Sequence, residues 1–147
     1  MNQQERRGLA VSGMAQNDPA FAARYVEQIP PGRERTEALR NVASQWANQD
    51  LGSAVEWLRQ LPDAASRNEV LSGISREWAR NDPAAAAGFI LTAPEGVKVE
   101  SLARTLAEQW AGNNATAARD WLAKLPEGAA RESAWEGYAN GLAQHSP

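Results

Sequence analysis

A 32-residue repeat constrains this chain more than any other feature of its sequence. Tryptophan recurs at this spacing at Trp46, Trp78 and Trp110, with no insertion between the copies. Two other landmarks keep the same spacing, first an aspartate or asparagine and then a proline. They are Asp18, Asp50, Asp82 and Asn114, followed by Pro30, Pro62, Pro94 and Pro126. Sequence periods of about 20 to 50 residues indicate stacked supersecondary units, so we expect repeat boundaries near residues 18, 50, 82 and 114.

Each copy of the repeat has the pattern of a helical hairpin. In the second copy, Asp50 is placed to cap a short helix, because its carboxylate can accept hydrogen bonds from the free N–H groups of the first turn. The apolar residues of this short helix fall on one face, at Ala54, Trp57, Leu58 and Leu61. A longer helix after Pro62 carries a second stripe, at Val70, Leu71, Ile74 and Trp78. Neither helix can bury its stripe alone, so neighbouring copies must stack.

The two ends of the chain are predicted to be capping helices, at residues 1–17 and 129–147. Arg6 and Arg7 stand at positions that are apolar 32 residues later, and this substitution is typical of a terminal repeat. Trp135 and Tyr138 keep an apolar stripe in the last helix. That stripe leaves two interpretations open, a truncated longer array and end-to-end self-association.

The whole pattern predicts an all-α fold that forms a single domain over residues 1–147. About nine helices are expected, five long and four short, alternating and beginning and ending with a long one. Stacked hairpins of this kind form an α-solenoid, in which each repeat contacts its neighbours.

A variant of the phrase D-P-x-x-A-x-x-W starts each short helix and resembles the tetratricopeptide repeat. Its residues are Asp50, Ala54 and Trp57 in one copy and Asp82, Pro83, Ala86 and Phe89 in the next. The chain is also similar to bacterial arrays of 32-residue W-A-x-x-D-P…L-P-x-G repeats. This second resemblance implies no particular function. The tetratricopeptide resemblance implies a right-handed solenoid with a groove lined mainly by the short helices. The period here is 32 residues rather than about 34, and the family's L-G-x-x-Y continuation is missing, which implies a shallower groove.

Composition argues against several classes of protein. The chain has no cysteine, so disulfides and thiolate metal sites are excluded, and its net charge of −3 disfavours nucleic acid and anionic membranes as partners. The one histidine, His145, lies near the end with no partner for acid–base chemistry. We therefore expect no enzyme activity, no cofactor and no metal.

The sequence contains no apolar run of the length that a signal peptide or a membrane span requires. We expect a soluble, cytoplasmic protein. A piece trimmed from an exported protein would have the same pattern, so that alternative stays open.

A repeated arginine is the one feature that suggests nucleic acid. Arg35, Arg67 and Arg131 occupy equivalent positions, where a row of guanidinium groups could follow phosphates. Val99 breaks the row. We favour a structural role, in which each arginine reaches a neighbouring carboxylate or the carboxyl end of a short helix.

The third copy differs from its neighbours in a way that indicates a contact site. The first two copies carry charges on the short helix, with signs that can face each other, at Arg24, Glu27, Glu56 and Arg59. The third copy has Gly88 and Leu91 at these positions and valines in and after the loop, at Val97 and Val99. An apolar interruption of a charged face suggests binding. We predict that these residues, flanked by Arg59 and Arg119, hold an apolar side chain and an acidic group of a partner; the alternative is a degenerate repeat that repacks.

The function most consistent with this sequence is a non-catalytic protein–protein interaction module that presents a curved groove to a protein or peptide. The first alternative is a structural spacer or a self-assembling subunit that stacks end to end, with self-association through the C-terminal helix. A solenoid that contacts nucleic acid ranks third.

Overall fold

The computed structural model describes residues 3–93 and 96–145, and over these ranges every regular element is a helix. Long and short helices alternate along the chain, which confirms the all-α prediction. In chain order they are α1 (Gln3–Asn17), α2 (Pro19–Glu27), α3 (Arg33–Gln49), α4 (Leu51–Gln60), α5 (Ala64–Asn81), α6 (Pro83–Thr92), α7 (Glu100–Asn113), α8 (Ala115–Lys124) and α9 (Ala129–His145).

The helices form two compact units, Met1–Ile74 and Ser75–Pro147. The first unit contains α1 to α4 and most of α5, and the second contains the end of α5 with α6 to α9. The division falls inside one continuous helix. The expectation of a single domain stays a prediction.

Short helices begin where the sequence predicts, because the aspartate or asparagine of the repeat caps each of them. Asp50 Oδ1 accepts a hydrogen bond from the Ser53 backbone N–H at 3.2 Å, and Asp50 Oδ2 accepts one from Ser53 Oγ at 2.7 Å. The same backbone bond recurs at the equivalent caps, from Phe21 to Asp18, from Ala85 to Asp82 and from Ala117 to Asn114. An amide oxygen therefore caps as a carboxylate does, in line with the similar N-cap preferences of asparagine and aspartate.

Three of the long helices start in one of two ways. Gly32 and Gly128 precede α3 and α9 with φ angles of 155° and 148°, a backbone conformation that side-chain-bearing residues rarely adopt. Before α5, Asp63 caps instead: its carboxylate accepts hydrogen bonds from the Ser66 backbone N–H at 2.8 Å and from Ser66 Oγ at 3.0 Å. The loop proline of the third copy, Pro94, lies outside the described residues.

Helix α7 begins later than the repeat predicts. The chain between Gly96 and Glu100 is not helical, and Val99, expected near the helix start, is the N-cap and makes no side-chain capping bond. The connection from α6 to α7 is therefore longer than the connections that precede α3, α5 and α9. Valine has a lower helix propensity than alanine, so Val97 and Val99 do not favour an earlier start of α7.

In the first unit, α3 contacts α1, α2 and α4, and α5 packs on its far side through a glycine. A Cβ added at Gly73 would lie 2.8 Å from both Ala43 Cβ and the Arg40 carbonyl oxygen, so only glycine permits this approach. Between α1 and α3, Asn41 stands at the equivalent position and donates from Nδ2 to Ser12 Oγ at 2.8 Å. An amide side chain thus occupies the space that glycine closes between α3 and α5.

In the second unit, α7 contacts α6, α8 and α9. Helix α9 approaches α7 through two glycines one turn apart, Gly137 and Gly141. A Cβ at these positions would overlap the carbonyl oxygens of Arg104 and Glu108, respectively. The backbones of α7 and α9 are therefore in direct contact.

Each tryptophan near the end of an internal long helix pairs with an aromatic residue of the next short helix. The ring centroids of Trp46 and Trp57 are 5.8 Å apart, and the pairs Trp78–Phe89 and Trp110–Trp121 have separations of 5.1 and 5.8 Å. Trp57, Trp78 and Trp121 are at most 5% exposed, so the prediction that these side chains form core is confirmed. Such pairs contribute roughly 0.5–1.5 kcal/mol beyond the area they bury.

Replacement of the contact glycines is expected to destabilise the chain. Gly137→Ala and Gly141→Ala each force a methyl group against a carbonyl oxygen, and overpacking of this kind costs about 1–3 kcal/mol, partly offset by the better helix propensity of alanine. Gly13→Ala is the matched control, because a Cβ there meets no atom within 4 Å, and it should stabilise by about 0.5–1 kcal/mol. Urea unfolding monitored by circular dichroism measures all three. Equal stability of Gly137→Ala and Gly13→Ala would contradict the packing described above.

The Asp63 cap makes stability depend on pH. The hydrogen bond from the Ser66 backbone N–H holds the pKa of Asp63 below its ordinary value of 3.8, and the Ser66 hydroxyl and the Arg35 guanidinium act in the same direction. Because the folded-state pKa is depressed, this stabilisation is complete above the unfolded pKa and is lost as pH falls through the lower folded value.

We therefore expect Asp63→Ala to lower the free energy of unfolding by about 1 kcal/mol at pH 7. The difference from the unmodified chain should shrink as pH falls below about 4. Urea titrations at stepped pH measure it, and a difference that stays constant down to pH 2 would show that the charge of Asp63 plays no part.

Candidate functional site

A groove between the short helices α2 and α4 is the first candidate binding site. It has a volume of about 340 Å³, within the range of small-ligand pockets. The lining residues come from both helices and from the end of α3: Ala20, Ala23, Arg24, Glu27, Trp46, Ser53, Glu56, Trp57 and Gln60. The tetratricopeptide resemblance implies a groove on this side of the helices.

The floor of the groove is aromatic and includes an unsatisfied donor. Trp57 is 5% exposed and packs against Trp46, which is half-buried. The indole Nε1 of Trp57 is buried and donates no hydrogen bond to any described residue. A buried donor without an acceptor costs roughly 1–3 kcal/mol, so an acceptor brought by a ligand would be stabilising here.

The rim of the groove carries charges of both signs. Arg24, Glu27 and Glu56 are exposed, and none of them forms an ion pair with another described residue. The sequence suggested that Arg24 could face Glu56 and that Glu27 could face Arg59, but no ion pair joins either couple. These charges are therefore available to a ligand.

The predicted site residues of the third copy lie in the second unit. Gly88 and Leu91 are exposed and stand three residues apart on α6, so they share one face. Leu91 is 45% exposed, whereas most apolar residues of α6 are buried. Val97 and Val99 are half-buried in the connection to α7.

The two predicted flanking arginines are both exposed. Arg119 lies on α8 in the second unit, and Arg59 lies in the last turn of α4 in the first unit. Their cooperation with Leu91 in one site stays a prediction.

Two of the three repeated arginines have local contacts. Arg67 donates from Nε to the carbonyl oxygen of Leu61, the C-cap residue of α4, at 2.9 Å. Arg35 lies near enough to Asp63 to lower the pKa of that carboxyl group. Arg67 thus reaches the carboxyl end of a short helix, and Arg35 lies near a neighbouring carboxylate. Both contacts match the structural role that the sequence favoured for these arginines.

Helix α9 presents aromatic and aliphatic side chains to solvent. Trp135 is 41% exposed and Leu142 is 38% exposed. The rings of Trp135 and Tyr138 meet edge to face, with their centroids 5.6 Å apart. The residues that precede Leu142 and Trp135 by 64 positions, Trp78 and Leu71, are at most 2% exposed. The last helix thus leaves open a stripe that is buried in α5.

No group of three histidine, aspartate or glutamate side chains suited to a metal ion occurs among the described residues. In residues 3–93 and 96–145, no helix combines the length and the apolar character needed to cross a bilayer.

The resemblance implied a groove lined by the short helices, but the sequence presented Arg24, Glu27 and Glu56 only as a charged face and did not identify the α2–α4 groove as a site. It also missed a larger groove between α1 and α3, which Gly8 and Glu37 line. One signal was present for the second groove: glycine stands at position 8, where arginine stands 32 and 96 residues later.

Comparison with family models, with curated proteins and with solved structures returns no match for this chain.

Proposed function

We propose that this chain is a non-catalytic interaction module that binds a peptide segment of a protein partner in the groove between α2 and α4. The observation that carries this proposal is the aromatic floor with its unsatisfied indole donor, beneath a rim of unpaired charges. A peptide suits it because every peptide bond offers a carbonyl acceptor, and side chains of either sign can meet the rim.

The proposed architecture is a right-handed α-solenoid with a 32-residue repeat, as the tetratricopeptide resemblance implies. Its support is the recurrence of the same capping bond at Asp18, Asp50, Asp82 and Asn114. Grooves between short helices would then recur along the chain, with side chains that differ from copy to copy.

Selection of displayed random peptides on the intact chain tests the function. We expect enrichment of peptides whose affinity falls by at least about tenfold in Gln60→Trp, because the added ring fills the groove that Gln60 lines. Gln28→Trp is the matched control, since Gln28 is equally exposed and stands 32 residues earlier outside the groove. Absence of any enriched peptide, or equal loss in both variants, would refute the proposal.

Leu91 is the exposed apolar side chain of the site predicted in the third copy, where Val97 and Val99 are half-buried. Leu91→Glu is expected to weaken partner binding by about tenfold or more, because a charge replaces an apolar contact, while folding is unaffected. Ala123→Glu is the control, an exposed position 32 residues later on α8. Calorimetric titration with partner protein measures both; unchanged binding of Leu91→Glu would remove Leu91 and its neighbours from the site.

A self-assembling subunit is the second candidate function, and the open stripe on α9 favours it. Trp135 and Leu142 would bury their exposed surface against a second copy. Sedimentation velocity over a range of concentrations is expected to show an oligomer that dissociates in Trp135→Glu but persists in Ala123→Glu. A monomer at all concentrations would exclude this candidate.

A further inference from the structure

The groove between α1 and α3 has a volume of about 480 Å³ and lies on the long helices, apart from the peptide groove proposed above. Its apolar lining residues include Val11 and Ile29, which are 1% and 5% exposed, and Leu9, which is 62% exposed. Glu34 and Glu37 line one side of it, and Gly8 lines the other. The groove therefore combines apolar side chains with carboxylates.

The groove exists because a side chain separates the two helices and another is missing. Asn41 bridges to Ser12 at the position where Gly73 brings α5 against α3. Gly8 leaves the resulting gap uncovered, since a Cβ at this position would meet no atom within 4 Å.

In two other copies an arginine stands at the position equivalent to Gly8. Arg40, 32 residues after Gly8, reaches from α3 to α5, where its Nε lies 3.0 Å from Glu69 Oε2. Arg104, 96 residues after Gly8, likewise donates from Nη2 to Glu136 Oε2 at 2.6 Å. At both places an arginine spans two long helices and ends on a glutamate.

Glu37 is the counterpart of Glu69, and it lacks this arginine. Its Oε1 instead lies 3.0 Å from Nε of Arg33 on the same helix. The side chain of Arg33 is 87% exposed and that of Glu37 is 55% exposed. Exposed pairs of this kind are weak, so a ligand cation can displace Arg33.

Glu34 offers a further acceptor. Arg7 donates from Nη1 to Glu34 Oε2 at 3.2 Å. The other carboxylate oxygen, Glu34 Oε1, lies 3.2 Å from Arg7 Nε. This oxygen is buried and accepts no hydrogen bond from the described residues. Arg7 offsets the charge of Glu34 and Arg33 that of Glu37, so Glu37 becomes the free carboxylate of the groove once Arg33 is displaced.

We propose that this groove binds an arginine side chain of a protein partner, together with an adjacent apolar side chain against the exposed Leu9. The planar guanidinium matches carboxylates with several fixed donors, and it would reproduce in trans the contact that Arg40 makes within the chain. This site goes beyond the proposed peptide groove and does not depend on it.

The test is a titration of the intact, isotope-labelled chain with acetyl-Leu-Arg-amide, followed by nuclear magnetic resonance. Shifts are expected at the amides of α1 and the first turns of α3. The citrulline counterpart, which is neutral and nearly isosteric, should bind at least about tenfold more weakly. Equal binding of both peptides, or no shift in these helices, would overturn the proposal.

Gly8→Arg provides the sharpest variant, because it supplies the missing side chain from within and leaves the rest of the groove intact. It should reduce peptide affinity by at least about tenfold. Gly13→Arg adds the same charge and helix propensity to α1 outside the groove and should stay within about twofold of the unmodified chain. Undiminished binding by Gly8→Arg would show that the peptide binds elsewhere.

Glu37→Gln separates charge from shape. It should abolish the preference for arginine over citrulline while leaving the chain folded, since Glu37 is exposed. A preference that survives this change would contradict the assigned role of Glu37.

Discussion

The contact between a long-helix tryptophan and the aromatic residue of the following short helix is the interaction on which both units depend. Neither helix of a hairpin can bury its apolar stripe alone, and the paired rings close the junction where the chain reverses at an aspartate or asparagine cap. The pair Trp46–Trp57 also forms the floor of the α2–α4 groove. The same two side chains therefore stabilise the first unit and shape its candidate binding surface.

Long helices pack on one another by two different means at equivalent positions. Gly137 and Gly141 place the backbone of α9 directly on α7. On α3, Asn41 and Gln45 stand at these positions, and Gln45 donates to Asn41, which donates to Ser12 of α1. Backbone contact closes the α7–α9 pair at these two positions, whereas the α1–α3 pair, which amides bridge, has a groove beside it.

Local chemistry made much of the fold predictable. An aspartate before proline caps a helix in isolation, and apolar spacing identified Trp57, Trp78 and Trp121 as core. The late start of α7 was not predictable, because the repeat does not encode the length of the connection that contains Val97 and Val99. Both grooves depend on volumes left between helices, which no single helix reveals. The exposure of Leu91 was predictable, because it interrupts an otherwise charged face; its partner was not.

The central claim is that the tryptophan floor of the α2–α4 groove contacts a peptide ligand. The indole N–H resonance of Trp57 reports this contact most directly, because that donor is buried and unbonded in the free chain. Addition of a selected peptide is predicted to shift this resonance downfield and to slow its exchange with solvent, as a new acceptor would. An unchanged Trp57 resonance under saturating peptide, with shifts confined to other helices, would contradict the account.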